Sequence, residues 1–206
     1  MSTQSRAEAA KDHRCLYVHP FDHEDIWEGH ASLIEELRDD LHGVPPDVIV
    51  VSVGGGGLMC GVVRGLRSVG WEDKVRLVAV ETEGANCLAA ALDAGRLVTL
   101  PEISSIAKTL GSLTVANEAF INATEARGPE VTSLVVTDRQ ATDACVEFAD
   151  QHKMLVEPSC GTALTALTDP EVFQKWSRAA KDLTIVVVVC GGVGISSVDI
   201  EKWRNE

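Results

Sequence analysis

The sequence predicts an α/β fold: an open, mostly parallel sheet with helices on both faces, carried by one domain spanning residues 1–206. Three observations predict it. Val and Ile dominate 47–53 and 184–190, runs that suit strands buried on both faces. Each run ends in glycines: Gly54, Gly55, Gly56 and Gly57 after the first, Gly191, Gly192 and Gly194 after the second. Strand-like and helix-like segments alternate between them, the order expected of parallel strands joined by right-handed crossovers.

The elements follow in order. Residues 1–13 are polar and helix-compatible, Cys15-Leu16-Tyr17-Val18 reads as a short strand, and His19-Pro20-Phe21-Asp22 as a loop. Ile26, Leu33, Ile34, Leu37 and Leu41 recur at three- and four-residue steps, which predicts a helix over 25–41. Gly43, Pro45 and Pro46 stop it. The glycine run after 47–53 leads into a helix reaching about Val69, ended by Gly70. Residues 75–80 form the next strand, closed by Glu81, and 86–94 a helix of small residues closed by Gly95. Residues 99–113 read as loop and 114–126 as helix. A strand over 132–136 precedes a helix capped by Asp138 and running to about His152. Pro158 opens a helix whose apolar face is Ala163, Leu164, Ala166 and Leu167, since proline is tolerated in a first turn. Residues 171–179 are helical, and 184–190, apolar throughout, reads as a central strand.

Composition narrows the function. Hydrophobic residues are 45% and aromatics 4%, so the core is aliphatic. A net charge of −13 argues against nucleic-acid and anionic-membrane partners, which need basic patches. Six cysteines without a C-x-x-C pair point to a reducing, cytoplasmic location. The first residues lack the apolar stretch of a signal peptide, and no apolar run reaches the ~20 residues of a membrane span.

The glycines carry the chemistry. They let several backbone N–H groups converge at a helix N-terminus, which makes an anion site whose natural guest is a phosphate. A P-loop is excluded because Val62-Val63 stand where Lys-Ser/Thr is required. The dinucleotide spacing fails as well, since Gly54 and Gly56 lead to Met59, and Gly55 and Gly57 to Cys60. That argues against an oxidoreductase, although Glu81 sits where a ribose-binding acid would. Cys15, His19 and His23 have metal-like steps, but Pro20 breaks any helix that would align them. No G-x-S-x-G motif is present. Cys190 beside glycine N–H groups could have a lowered pKa, but without a placed histidine it reads as a core thiol. Ligands of open parallel sheets bind beyond the strands' carboxyl ends, so the glycine run and Cys190 face one site if their strands are neighbours.

Several motifs, in order, resemble the serine dehydratases: Ser52-Val53-Gly54-Gly55-Gly56-Gly57-Leu58, Glu81-Thr82, Ile106-Ala107-Lys108-Thr109-Leu110-Gly111, Val156-Glu157-Pro158-Ser159-Cys160-Gly161 and Val189-Cys190-Gly191-Gly192. His19-Pro20-Phe21-Asp22 and Ile26-Trp27-Glu28-Gly29-His30 resemble the same family, and the resemblance covers nearly the whole chain. It implies the tryptophan synthase β-like fold type II of pyridoxal-phosphate enzymes. It implies L-serine/L-threonine dehydratase (ammonia-lyase) activity, a β-elimination giving pyruvate or 2-oxobutyrate plus ammonia, in a cytoplasmic homodimer serving amino-acid catabolism and gluconeogenesis. The N–H groups of Gly54, Gly55, Gly56 and Gly57 would hold the phosphate of pyridoxal phosphate, and Cys190, with Gly191 next to it, would lie against the pyridine nitrogen. A thiol of pKa about 8.5 does not hold a proton on that nitrogen as an acid would, and a neutral ring favours β-elimination over transamination. Glu81, with carbonyls of Gly54, Ala85, Leu110 and Ser112, would match the family's monovalent-cation (potassium) site. Val193-Gly194 departs from the more polar pair of the family, so no side-chain contact is assigned there.

One element of the family has no counterpart. None of Lys11, Lys74, Lys108, Lys153, Lys175, Lys181 and Lys202 stands in the context of the Schiff-base lysine. The resemblance therefore implies a large cofactor-binding domain without the catalytic-lysine segment and most of the small domain, inactive alone. The alternative is a non-catalytic paralogue that binds phosphate or oligomerises with a full-length subunit.

Overall fold

The computed structural model describes residues 2–15, 17–125, 128–177 and 182–206. Four parallel strands, β1 (Val48–Ser52), β2 (Arg76–Thr82), β3 (Val131–Val136) and β4 (Ile185–Val187), form one sheet in the order β3-β2-β1-β4. After β1 the chain builds outward through β2 and β3, then returns to β1's other side as β4. The order thus reverses at β1, and a crevice opens beyond the carboxyl ends of β1 and β4.

Side-chain alternation assigns the two faces. Ile49 and Val51 of β1 and Leu77 and Ala79 of β2 point into one core with Ile34, Met59, Leu66 and Leu88. These come from α2 (Glu24–Asp40), α3 (Gly57–Ser68) and α4 (Cys87–Ala94), with α5 (Asn117–Thr124) adding Ala119. Val48, Val50, Val78 and Val80 point the other way, against Ala163 and Ala166 of α7 (Pro158–Thr168) and Val172 of α8 (Pro170–Trp176). All five residues of β1 are buried, which is why its sequence shows no apolar–polar alternation. A third cluster joins α7 to α6 (Asp138–His152) and α9 (Ser197–Arg204) through Cys145, Leu164, Ile200 and Trp203. The short α1 (Ser2–Ala9) precedes all of these. No described helix is long and apolar enough to cross a membrane.

Glycines set the spacing of α2 and α3. A Cβ on Gly61 would lie 2.3 Å from His30 Cβ, and one on Gly65 would lie 2.7 Å from the Ala31 carbonyl oxygen. The backbones therefore approach closely, and the fully buried Ile34 fills the seam.

Several expectations need correction. The described residues of 15–18 form no strand, because no neighbouring strand supplies them with ladder bonds. The 184–190 run is not a central strand. Only Ile185–Val187 forms a ladder, half-buried, at the sheet's edge. Val188 N–H still reaches Val50 O at 3.0 Å, but β1 then turns into the glycines and Cys190 N–H bonds to Cys160 Sγ instead. Helix α6 is capped by Thr137, not Asp138. The Thr137 hydroxyl accepts from Gln140 N–H while Gln140 Oε1 accepts from Thr137 N–H. Strand β2 continues through Glu81 and Thr82. Helix α5 starts at Asn117, and α8 at Pro170, a residue earlier than its apolar pattern indicates. The expected ends of both, Ala126 and residues 178–179, lie outside the described residues.

Candidate functional site

The crevice between β1 and β4 is a cleft of about 390 Å³. Gly54, Gly55, Gly56 and Gly57 line one side, Cys190, Cys160 and Ser159 another, and Phe21, His30 and Thr109 lie around them. The glycine run and Cys190 meet because β1 and β4 pair directly, Val48 against Ile185 through Val50 against Val187.

The loop after β1 admits no side chains. A Cβ on Gly54 would lie 2.8 Å from Leu110 O, and one on Gly55 would sit inside the Phe21 ring at 2.3–2.4 Å. One on Gly57 would lie 2.8 Å from Phe21 O, and Gly56 has φ +89 as the N-cap of α3. The glycines are thus required for packing and for the turn into α3. Among the described residues, none of their four N–H groups has a protein acceptor. Uncapped donors at a helix N-terminus that line a cleft fit a phosphate group.

The opposite wall is the N-terminus of α7. Pro158 is its first residue, which places Cys160 in the first turn. Thr109 Oγ1 reaches Ser159 Oγ at 2.5 Å and Glu157 Oε1 at 3.1 Å, tying the 3-10 turn Lys108–Leu110 to α7. Glu157 N–H donates to Gly191 O, and Gly192 packs against Leu155 and Val156 with no room for a Cβ. Gly191 itself, at φ +139, stands one residue beyond the cleft lining.

Six free cysteines fall into three groups. Burial pushes the Cys60, Cys87 and Cys145 thiols up to about 12, so they behave as core hydrophobes. Cys15 is exposed and remote from the cleft lining. Cys160 and Cys190 lie side by side on the wall opposite the glycines. Cys160 Sγ accepts from the Cys190 N–H at 3.3 Å, and the adjacent Cys190 thiol first, then the Gly191 and Cys190 N–H groups, hold its pKa below the ordinary thiol range. Cys190 is held as a neutral thiol, pushed up first by the adjacent Cys160 sulfur. Ser52 Oγ lies 3.9 Å from Cys190 Sγ. Sequence reasoning assigns no role to Cys160, Glu157 or Thr109. A proline after Glu157, marking a helix N-terminus at the carboxyl end of the sheet, was the available signal.

Glu81 is fully buried. Its carboxylate accepts from Leu88 N–H at 2.8 Å and Ala89 N–H at 2.7 Å, the N-terminus of α4. Burial nevertheless pushes its pKa up to about 7. Gly54 O accepts from Cys87 Sγ, and Leu110 O packs against Gly54. Among the described residues the carbonyls of Ala85 and Ser112 have no hydrogen-bond donor. The histidines of the first segment cap turns: His19 Nδ1 accepts from Asp22 N–H and His23 Nδ1 from Asp25 N–H. Among the described residues no cluster of three His, Cys, Asp or Glu groups could hold a metal ion. Among them, too, no lysine lines the cleft: Lys108 is exposed on its turn, and Lys153 donates to Asp150 O.

Comparison with known proteins gives a consistent answer. A family described as pyridoxal-phosphate dependent enzymes matches residues 1–191. A serine dehydratase-like protein of Mus musculus is 50% identical over 190 residues, 91% of this chain and 56% of that protein. An L-serine dehydratase/L-threonine deaminase of Mus musculus is 47% identical over 192 residues, 92% of this chain and 57% of that protein. The chain thus spans just over half the length of these relatives. Among solved structures, a fungal L-serine ammonia-lyase from Rhizomucor miehei superposes with a TM-score of 0.85 at 36% identity, covering 93% of this chain and 59% of that one.

Proposed function

The chain belongs to the pyridoxal-phosphate dependent enzyme family, and from that premise we propose that it is the cofactor-holding part of an L-serine/L-threonine dehydratase. The observation that carries this reading is the cleft at the reversal of strand order, where four glycine N–H groups with no acceptor among the described residues share one cavity with a neutral thiol. Gly54, Gly55, Gly56 and Gly57 would hold the phosphate through backbone donors, assisted by the N-terminus of α3. Cys190 would offer its S–H to the ring nitrogen. Because the adjacent Cys160 keeps that thiol protonated, it would donate a hydrogen bond without delivering a full proton. When bound, the cofactor supplies an electron sink beside the amino acid's α-carbon. The Gly54 and Gly57 contacts with Leu110 and Phe21 hold the loop that would take the phosphate, and Glu157 N–H, donating to Gly191 O, holds the turn that would meet the ring.

The remaining assignments support a lyase of this class. Glu81, with the Gly54, Ala85, Leu110 and Ser112 carbonyls, would hold a potassium ion: a buried carboxylate and backbone carbonyls with spare acceptor capacity have the hard-oxygen chemistry of such a site. Potassium chloride should therefore raise the unfolding midpoint of the chain relative to tetramethylammonium chloride at equal ionic strength, and Glu81→Gln should abolish the difference. Equal midpoints in the two salts would remove the cation from the reading. A cytoplasmic homodimer acting in amino-acid catabolism toward gluconeogenesis belongs to the same proposal, and the six free cysteines support a reducing location.

The lysine that would anchor the cofactor covalently is not found among the cleft-lining residues. This favours inactivity of the isolated chain, and keeps a second reading open, a phosphate-binding subunit that pairs with a full-length relative. Borohydride reduction of the chain with pyridoxal phosphate, peptide mapping and an L-serine assay test both. We expect pyridoxal phosphate binding that glycine substitutions weaken, with no site-specific lysine adduct and no ammonia. One stoichiometric adduct with turnover would overturn the account of the lysine.

A further inference from the structure

The Cys160–Cys190 arrangement has a chemistry that cofactor binding does not use. Cys160 is almost fully buried yet lines the cleft, in the first turn of α7. Its sulfur receives the Cys190 N–H at 3.3 Å. A backbone donor on a sulfur in the first turn of a helix favours the thiolate, the nucleophilic form of cysteine. Cys190 lines the same cleft beside it, on a turn whose residue 190 is exposed. With its backbone nitrogen 3.3 Å from Cys160 Sγ, Cys190 is placed for a disulfide without a large backbone movement.

We propose that Cys160 and Cys190 form a redox pair in which Cys160 is the site of attack on a hydroperoxide and Cys190 closes the disulfide. The Cys160 thiolate attacks one peroxide oxygen, the O–O bond breaks, and the departing hydroxide takes a proton and leaves as water. Cys160 is then a sulfenic acid. The Cys190 sulfur attacks the Cys160 sulfur, the S–O bond breaks, and hydroxide leaves with the Cys190 proton as a second water. Two thiols and one hydrogen peroxide give one disulfide and two waters, with two electrons passing from the sulfurs to the peroxide. The step rests on the contact of residue 190 with the Cys160 sulfur and not on the proposed dehydratase reading.

The full 206-residue chain, reduced and then titrated with hydrogen peroxide, tests this by peptide mapping under non-reducing conditions. The expected product is a cross-link between the Cys160 and Cys190 peptides, restored to thiols by dithiothreitol. Its rate of formation should be half-maximal below the pH of about 8.5 at which a free thiol ionises. Cys190→Ser should leave Cys160 as a sulfenic acid that dimedone captures, and Cys160→Ser should remove the cross-link. Far-UV circular dichroism checks that the variants fold. Should Cys160→Ser fail to fold, the Cys190→Ser result decides alone, since residue 190 is exposed. Three results would overturn the proposal: a cross-link from Cys160 to its other neighbour Cys145, oxidation confined to Cys15, or Cys190→Ser chain with no dimedone adduct on Cys160. Pyridoxal phosphate affinity of the reduced chain reports on the dehydratase reading separately.

Discussion

Substitution of Gly54 by alanine should damage the cleft in a way that no side-chain repacking can relieve. The new Cβ would meet only backbone atoms of Leu110: the carbonyl oxygen at 2.8 Å, Cα at 3.0 Å and the carbonyl carbon at 3.2 Å. Gly54 has no left-handed φ, so the cost is steric and not conformational. Ordinary contact begins at 3.4 Å, so the Lys108–Leu110 turn must retreat by about 0.6 Å. Overpacking of this kind costs about 1–3 kcal/mol. The same turn carries Thr109, which braces Ser159 and Glu157 on the far wall, so the retreat also widens the cleft. Urea unfolding of Gly54→Ala should show a lowered midpoint at unchanged m-value, and pyridoxal phosphate should bind about tenfold more weakly, equivalent to about 1.4 kcal/mol. Gly55→Ala provides the contrast, because its Cβ meets Phe21 Cγ, Cδ1 and Cδ2, a side chain that can be removed. Phe21→Ala should therefore rescue Gly55→Ala with a coupling of about 1–2 kcal/mol and leave Gly54→Ala unrescued. An unchanged midpoint and affinity in Gly54→Ala, or equal rescue of both by Phe21→Ala, would refute the reasoning.

Two further predictions concern stability. Gly29 and Gly61 both sit in helices, but a Cβ on Gly29 meets nothing within 4 Å while one on Gly61 meets His30 Cβ at 2.3 Å and Trp27 O at 2.9 Å. Gly29→Ala should stabilise the chain by about 0.5–1 kcal/mol and Gly61→Ala should destabilise it by about 1–3 kcal/mol in the same urea assay. Asp169, the N-cap of α8, is held below the usual carboxylate range first by Gln140 Nε2 at 2.7 Å and then by the Val172 and Glu171 N–H groups. Its folded-state pKa is depressed, so its contribution is present above the unfolded value of 3.8 and is lost as pH falls through the folded value. Asp169→Asn keeps an acceptor for the cap but does not titrate, and its acid unfolding curve should be flatter than that of the parent over this window. Parallel curves would remove Asp169 from acid stability.

The parts of the fold legible in the sequence were those whose residue types have one physical use. Val48 to Val51, apolar on both faces, can only be an interior strand, and four glycines ending it can only be a turn with close backbone approach. Hydrophobicity reports burial and not ladder partners, which is why 184–190 read as a long central strand when only three residues pair, at an edge. The Asp138 misreading shows the same gap. Thr137 and Asp138 are both good caps, and the choice falls to Thr137 because Gln140 lies three residues on and returns the bond. Within the cleft, the glycine wall was legible because it is contiguous. The far wall was not, since Thr109 and Ser159 are fifty residues apart and only tertiary packing brings them together. The roles of Cys160 and Cys190 likewise depend on the β1–β4 pairing, which no local pattern encodes.

The position of β4 bears on how the protein behaves as a concentrated solution. Its outer edge has no strand partner among the described residues, and from Ile185 to Cys190 it carries neither the lysine nor the proline with which exposed edges are usually guarded. Nearby Val189 and Val193 are 41% and 104% exposed. Colloidal stability then rests on the mutual repulsion of copies, each with a net charge of −13. Salt shortens the reach of that repulsion to about 8 Å at physiological ionic strength, and titration toward the isoelectric point near 4.8 removes it altogether. Turbidity should accordingly rise with salt and with acid together. A lysine at Val189 should suppress it without touching the glycine wall of the cleft.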